Sequence, residues 1–79
     1  MSQSVEDRVL NIMAEVSPVP RDQIQYSHNL RTDLRMDSVS SMELVSMLCE
    51  EFDIDIDIEE AMQVETVKAA IDMTQKHLA

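Results

Sequence analysis

The stretch of sequence that decides the fold is LRTDLRMDSVSSMELV, residues 30–45. It ends a long polar region and begins the most strongly helical segment of the chain. Asp37 is a good N-cap for this helix, because its carboxylate can accept hydrogen bonds from the free N–H groups of the next turn. Ser38 is then the first helical residue, and its hydroxyl lies beside the positive end of the helix dipole.

The position of Ser38 predicts a modified serine rather than a catalytic one. The unpaired N–H groups and the dipole at a helix start both favour an anion such as a phosphate. No histidine lies near Ser38 in the sequence to activate it, and the chain contains no glycine to form a nucleophile elbow. The absence of glycine also excludes the Gly-rich phosphate loops of nucleotide-binding folds.

The motif around Ser38 and the pattern that follows it resemble those of a known family. The motif residues are Asp33, Leu34, Asp37, Ser38 and Val39, followed by ELV at 43–45 and EEF at 50–52. They resemble the phosphopantetheine attachment site of an acyl carrier protein, which usually reads Asp-Leu-Gly-x-Asp-Ser-Leu. The likeness continues through residues 52–56, 59–61 and 66–72, so it covers nearly the whole chain.

The resemblance implies a carrier that is not an enzyme. A separate phosphopantetheinyl transferase, with Mg²⁺ and its own base, would move 4′-phosphopantetheine from coenzyme A to Ser38. The terminal thiol of the arm would hold acyl chains as thioesters for synthase enzymes of fatty-acid, polyketide or related lipid biosynthesis. The residues also leave open an unmodified, acidic, helical module that binds other proteins.

Composition predicts one small acidic domain spanning residues 1–79, expected to be monomeric. The net charge is −10, and ten of the sixteen acidic residues lie between Asp37 and Glu65 with no Lys or Arg among them. This charge repels nucleic acid and anionic membranes and attracts basic protein surfaces. Alternatively, the acidity only keeps a small protein in solution.

Other features of the sequence favour a cytoplasmic location. The single cysteine excludes an internal disulfide. Residues 2–8 are polar, unlike a signal peptide, and no apolar run approaches the roughly 20 residues that span a bilayer. The length favours a discrete carrier over an excised module of a larger synthase.

The N-terminal half is expected to contain one helix and one long loop. The pattern Ser4-x-x-Asp7 resembles a capping box, and Pro18 and Pro20 end the helix. An amphipathic stripe follows the cap at Val5, Val9, Ile12, Met13 and Val16. The apolar anchors predicted within the loop of residues 17–36 are Ile24, Tyr26, Leu30 and Leu34.

The second helix is expected to cover residues 38–52 and to have two functional faces. At 100° per residue, the core side contains Ser41, Leu44, Val45, Leu48 and Phe52. The other side contains Val39, Met42, Glu43, Ser46 and Glu50. Beside a modified serine, exposed apolar groups among carboxylates predict a face that docks basic partner enzymes.

Residues 52–58 alternate like a strand, but a lone strand has no partner in a helical chain. We therefore expect a loop that inserts Ile54 or Ile56 into the core. The spacing of Asp53, Asp55 and Asp57 imitates the start of an EF-hand. The match fails at the sixth and twelfth positions, which lack the required Gly and Glu. No specific metal site is predicted, although weak divalent-ion binding by the acidic cluster stays open.

The C-terminal part is expected to form a short helix at residues 59–63, with contacts from Ala61 and Met62. A last helix is predicted to start at the N-cap Thr66 and to bury Val67, Ala70, Ile71, Thr74 and Leu78. Lys76 and His77 suit its dipole, and His77 is given no other role.

The predicted fold is an all-α four-helix bundle with three longer helices, a short third helix and a long first loop. The acyl chain would be sheltered between the helices. The residues expected to form this pocket and the core are Leu44, Val45, Leu48, Phe52, Ile56, Ala61, Val67 and Ile71.

Departures from the family pattern predict a specialised pathway. Arg35 replaces the usual glycine, and Val39 replaces the usual leucine. Ser46 stands where an apolar residue is usual, and Cys49 where an acidic one is usual. Arg31 and Arg35 either steady the nearby phosphate or are solvated loop charges. Cys49 is either a half-buried hydrophobe or a redox site. His28 is expected to lie exposed in the loop, since no second ligand stands at metal spacing.

Overall fold

The structure, a computed structural model, describes residues 4–78 and confirms the all-α bundle. Four α-helices form in this range: α1 (Val5–Val16), α2 (Ser38–Phe52), α3 (Ile58–Met62) and α4 (Val67–Leu78). One turn of 3₁₀ helix, Arg21–Gln23, interrupts the long loop between α1 and α2. Within residues 4–78 no strand forms, and the only β-type pairing is an isolated bridge between Asn29 and Thr66.

Side-chain caps start three of the helices at the predicted residues. Ser4 Oγ accepts from Asp7 N–H at 3.1 Å, and Asp37 Oδ1 accepts from Ser40 N–H at 2.8 Å. Thr66 Oγ1 accepts from Ala69 N–H at 3.1 Å, so the last helix begins at Val67. The short helix covers Ile58–Met62 rather than the predicted residues 59–63.

A single apolar core lies between the helices and the long loop. It contains the predicted residues Val9, Ile12, Met13, Ile24, Leu30, Leu34, Leu44, Leu48, Phe52, Ile56, Val67, Ala70 and Ile71, and in addition Leu10, Met36 and Met73. Ile56 is buried while Ile54 is half-buried, which confirms the inserted loop after α2. Leu10 and Met73 were missed because the buried face of each helix is wider than the narrow stripe assumed.

Three residues predicted to be buried are exposed. Tyr26 is 44% exposed, Met62 78% and Leu78 42%. The phenol of Tyr26 bonds to Glu6 at the start of α1, and this hydrogen bond raises its pKa. Met62 and Leu78 are the last residues of α3 and α4, where the helices pass the edge of the core.

The long loop is held against the start of α4 by its backbone. Leu30 N–H donates to Glu65 C=O at 2.9 Å, and Val67 N–H donates to His28 C=O at 3.1 Å. Lys68 N–H donates to Tyr26 C=O at 3.1 Å. These bonds satisfy backbone groups of the loop and of the helix start, including those of the buried residues Leu30 and Val67.

Ion pairs join helices that are distant in the sequence. Arg8 of α1 donates to Glu51 Oε2 of α2 at 2.7 Å, and its guanidinium lies 4.4 Å from the centre of the Phe52 ring. His77 Nε2 of α4 lies 2.6 Å from Glu60 Oε1 of α3. The expectation that His77 has no role beyond the helix dipole was therefore wrong, because it also joins the short α3 to the last helix.

Among the described residues, no helix is both long enough and apolar enough to cross a membrane. The expectation about a signal peptide concerns residues 2–8, and Ser2 and Gln3 lie outside the described range.

Replacing Glu60 by Gln is expected to reduce the acid sensitivity of the fold. The hydrogen bond with His77 holds the pKa of Glu60 below its usual value of 4.5. The ionised carboxylate therefore adds to the free energy of unfolding above that usual pKa. This contribution is lost as the pH falls through the lowered pKa of the folded state. Urea unfolding between pH 7 and pH 3, approximately, should show a smaller loss in Glu60→Gln than in the wild type.

The neighbouring variant Glu59→Gln is the control, since Glu59 is exposed and forms no ion pair within the described residues. It should retain the wild-type dependence on pH. An identical dependence in Glu60→Gln and the wild type would contradict the role given to the Glu60–His77 pair.

Candidate attachment site and its groove

Ser38 is the first residue of α2, and its side chain is exposed to solvent. The helix starts there because Asp37 caps it in an extended conformation, and Ser41 N–H bonds to Asp37 C=O at 3.0 Å. Hydrogen bonds from the backbone and side chain of Ser40 hold the pKa of Asp37 below its usual value. Asp37 therefore stays ionised and keeps the start of the helix in place.

The two motif residues Asp33 and Leu34 shape the turn that precedes the helix. Asp33 Oδ2 accepts from Asn29 N–H at 2.7 Å, and both Asp33 and Leu34 donate their N–H groups to Asn29 C=O. Asn29 Oδ1 accepts in turn from the N–H groups of Arg31 and Thr32. The Leu34 side chain is fully buried. Asp33 thus shapes the turn through its carboxylate and its N–H, and Leu34 through its N–H and its buried side chain. Neither forms a hydrogen bond with Ser38 in the described part of the protein.

Arg35 has the left-handed backbone conformation, with φ of 56°. It is exposed, whereas Leu34 before it and Met36 after it are both buried. A non-glycine residue is disfavoured in this conformation because its Cβ approaches the backbone. The turn thus has the geometry that glycine adopts most readily, although the sequence supplies arginine.

Arg31 is the charged side chain that the structure brings to Ser38. Its Nη2 lies 3.5 Å from Ser38 Oγ, at the outer limit of a hydrogen bond. The side chain of Arg35 forms no hydrogen bond or ion pair in the described part of the protein. Of the two arginines left undecided by the sequence, Arg31 is therefore the one that neighbours the serine.

A groove with a volume of about 490 Å³ begins at Ser38 and follows α2. One wall is formed by side chains of α2, and the other by the loop before α3 and by α3 itself. The lining residues are Arg31, Ser38, Ser41, Met42, Val45, Ser46, Cys49, Ile56, Ile58, Ala61 and Met62. From Ser38 to Cys49 the groove extends three helical turns, roughly 16 Å at 1.5 Å per residue.

The predicted pocket residues divide into two groups. Val45, Ile56 and Ala61 line the groove. The remaining five belong to the closed core rather than to the groove: Leu44, Leu48, Phe52, Val67 and Ile71. The sequence reasoning missed Ile58 and Met62 as lining residues, although the alternation that contains Ile58 could have indicated an outward-facing apolar group.

The five residues of the predicted docking face are all exposed on α2. These are Val39, Met42, Glu43, Ser46 and Glu50. Val39 and Met42 are 65% and 61% exposed, which is high for apolar side chains within a helix. The face therefore presents apolar groups beside carboxylates, immediately after Ser38.

Two further residues considered from the sequence, Cys49 and His28, lie away from Ser38 in the sequence and are partly buried. Cys49 is a free, half-buried thiol at the far end of the groove. His28 is half-buried rather than exposed, and its Nδ1 accepts from Gln25 N–H at 3.2 Å. Within residues 4–78 no group of three or more His, Cys, Asp or Glu side chains is arranged to hold a metal ion.

Comparison with known proteins establishes the family. A sequence model described as "Phosphopantetheine attachment site" matches residues 7–74. The acyl carrier protein of Enterococcus faecalis is 36% identical, with a TM-score of 0.77, and the match covers 92% of each chain. The chain therefore belongs to the acyl carrier protein family. It is a non-enzymatic carrier whose prosthetic group is 4′-phosphopantetheine.

Two more distant structures share the fold. The acyl carrier protein of Thermotoga maritima has a TM-score of 0.79 at 23% identity, covering 98% of this chain and 95% of that one. An apo doublet acyl carrier protein from prodigiosin biosynthesis has a TM-score of 0.78 at 21% identity. That match covers 91% of this chain and 35% of the doublet.

The surroundings of Ser38 fit a phosphodiester. The hydroxyl is exposed, so a second protein can reach it, and the positive end of the α2 dipole and the Arg31 guanidinium both favour an anion there. Within the described residues, the side-chain hydrogen bond of Ser38 is the long one that it accepts from Arg31. The groove beside it offers an apolar surface to whatever an attached arm carries.

Replacing Arg35 by Gly is expected to raise the free energy of unfolding by about 1 kcal/mol, because the left-handed conformation ceases to be strained. Urea unfolding at pH 7 measures the change. Arg35→Ala is the control, since it removes the same charge but keeps a Cβ. A similar gain in Arg35→Ala would show that charge rather than backbone conformation limits the stability.

Proposed function

We propose that Ser38 of this chain carries the 4′-phosphopantetheine arm and that the groove beside α2 shelters the acyl chain. The observation that carries the proposal is the exposed Ser38 hydroxyl at the start of a capped helix and at one end of an apolar groove. When bound, the arm supplies a terminal thiol on which acyl groups travel as thioesters.

In the attachment reaction, Ser38 Oγ forms a bond to the phosphorus that bears the pantetheine. The bond from that phosphorus to the nucleotide part of coenzyme A breaks, and a base of the transferase takes the hydroxyl proton. We assign this chain only the position of the hydroxyl, since the Asp37 carboxylate next to Ser38 already accepts the Ser40 N–H at 2.8 Å and caps the helix. Asp37 holds the helix start, and the buried Leu34 fixes the preceding turn.

The groove is suited to an acyl chain in its dimensions and its chemistry. Its wall on α3 is apolar, with Ile58, Ala61 and Met62, and Val45 faces it from α2. Burial of apolar surface contributes about 25 cal/mol per Å², so a chain placed there gains free energy relative to water. The five-residue α3 is fastened to α4 by Glu60 and His77, and a short element of this kind can shift at a low cost in free energy.

Intact-mass measurement tests the attachment directly. Purified protein incubated with coenzyme A, Mg²⁺ and a broad-specificity phosphopantetheinyl transferase should gain one phosphopantetheine, and fragmentation should locate it on Ser38. Ser41→Ala is a matched control, since Ser41 also lies on α2 and lines the groove. It should be modified fully, whereas Ser38→Ala should gain nothing. No addition to the folded wild type with several transferases would contradict the proposal.

We also propose that Val39, Met42, Glu43, Ser46 and Glu50 form the surface that partner enzymes recognise. The exposed Met42 supplies an apolar anchor, and Glu43, which follows it in α2, is exposed as well. Carboxylates around such an anchor steer basic partners and raise association rates. The transferase and the acyl-loading synthases are the partners that need to approach Ser38.

Glu43→Gln is expected to lower kcat/KM for the transferase several-fold at low salt, because steering of the basic partner is weakened. The effect should shrink as salt screens the charges. Glu15→Gln removes an exposed carboxylate from α1 and serves as the control. Equal losses in the two variants would mean that net charge, rather than this face, controls recognition.

The pathway is proposed to be specialised, within fatty-acid, polyketide or related lipid biosynthesis. Ser46 and Cys49 border the groove where apolar and acidic residues are usual, and Val39 offers a smaller anchor than leucine. These differences alter the partner surface more than the core. Efficient elongation on this carrier by a complete general fatty-acid synthase system would contradict a dedicated pathway.

A further inference from the structure

We propose that Arg31 binds the phosphodiester through which the arm is attached, and so positions the arm at the mouth of the groove. The inference rests on the proposed attachment at Ser38. In the structure, Arg31 Nη2 lies 3.5 Å from Ser38 Oγ. If Ser38 Oγ were esterified to phosphorus, the anionic oxygens would be two bonds from Oγ, and the Arg31 guanidinium would be the group to hold them.

Arg31 is available for this contact. The chain has six Lys and Arg residues, all within the described range, and four of them pair with carboxylates: Arg8, Arg21, Lys68 and Lys76. Arg31 forms no ion pair in residues 4–78, and its guanidinium points to Ser38 instead. Arg35 is also unpaired in this range, but its side chain forms no hydrogen bond there, so Arg31 is the cation that the structure places at Ser38. Its planar guanidinium can hold two oxygens of a phosphodiester through parallel N–H groups.

The backbone at the start of α2 does not fully compensate the negative charge of a phosphodiester, which leaves that task to Arg31. The Ser40 N–H already donates to Asp37 Oδ1 at 2.8 Å, and the Ser41 N–H donates to Asp37 C=O at 3.0 Å. These two amides are therefore not free to hold a phosphate. The ionised Asp37 carboxylate next to Ser38 also repels it. The guanidinium is thus the cationic group that this site offers to the anion.

The backbone of Arg31 is held in place before any anion binds. Its N–H donates to Asn29 Oδ1 at 2.8 Å, inside the turn that Asp33 and the buried Leu34 stabilise. Binding therefore orders only the side chain, which limits the entropic cost. Because Arg31 also lines the groove, a phosphodiester bound to it directs the arm along α2 rather than into solvent.

Spectroscopy of the apo and holo proteins tests the assignment without any enzyme assay. The ³¹P resonance of the phosphodiester should shift in Arg31→Gln holo protein and stay at the wild-type position in Arg35→Gln. Arg35 is the matched control because it lies in the same loop, is exposed and has no ion pair within the described residues. Arg31→Lys, which keeps the charge but not the planar donor pair, should give an intermediate shift.

Thermal unfolding gives a second readout on the same proteins. The Tm of the holo form minus that of the apo form should be lower by about 2–5 °C in Arg31→Gln than in the wild type, and unchanged in Arg35→Gln. High salt should reduce the difference. The role of Arg31 would be overturned if the holo-minus-apo difference in Tm were the same in the wild type, Arg31→Gln and Arg35→Gln, and if no ³¹P shift appeared.

The wild-type protein provides a readout that needs no variant. On conversion from apo to holo, the Arg31 Nε–H resonance should shift strongly, and that of Arg35 should not. The absence of any preferential shift at Arg31 would also overturn the inference. Failure of the proposed function can be told apart from failure of the Arg31 inference, since intact mass would then show no phosphopantetheine on Ser38 at all.

Discussion

The site depends on how the long loop is anchored immediately before α2. Leu34 is fully buried, and its N–H and that of Asp33 both bond to Asn29 C=O. One turn earlier, the Leu30 N–H bonds to Glu65 C=O beside the start of α4. These contacts fix the end of the loop to the core from two directions. The helix that follows must therefore begin at the surface, with Ser38 exposed and Arg31 beside it.

The same anchoring explains why a strained residue persists in the motif. Leu34 and Met36 are both buried, and the left-handed Arg35 between them turns the chain so that each reaches the core. Met36 N–H then closes the turn on Leu30 C=O at 2.9 Å. The burial of two large apolar side chains outweighs a local cost of about 1–2 kcal/mol. Backbone strain next to a functional residue is common where the surrounding structure enforces it.

What the sequence could predict was local. The Asp37 cap, the start of α2 at Ser38 and the exposed Val39 and Met42 all follow from residues within one or two turns. The contact of Arg31 with Ser38 depends on the turn between them, and the Glu60–His77 pair joins residues seventeen positions apart. Spacing in the sequence does not predict such contacts, because they depend on the path of the loop and on the packing of α3.

The central proposal is that the groove beginning at Ser38 shelters the acyl chain. Solution NMR of the protein carrying an isotope-labelled octanoyl group on its arm tests this most directly. We predict nuclear Overhauser effects between the acyl protons and the methyl groups of Val45, Ile56 and Ala61, which line the groove. Methyl shifts identical to those of the unacylated holo protein, with no such effects, would place the chain in solvent and contradict the account.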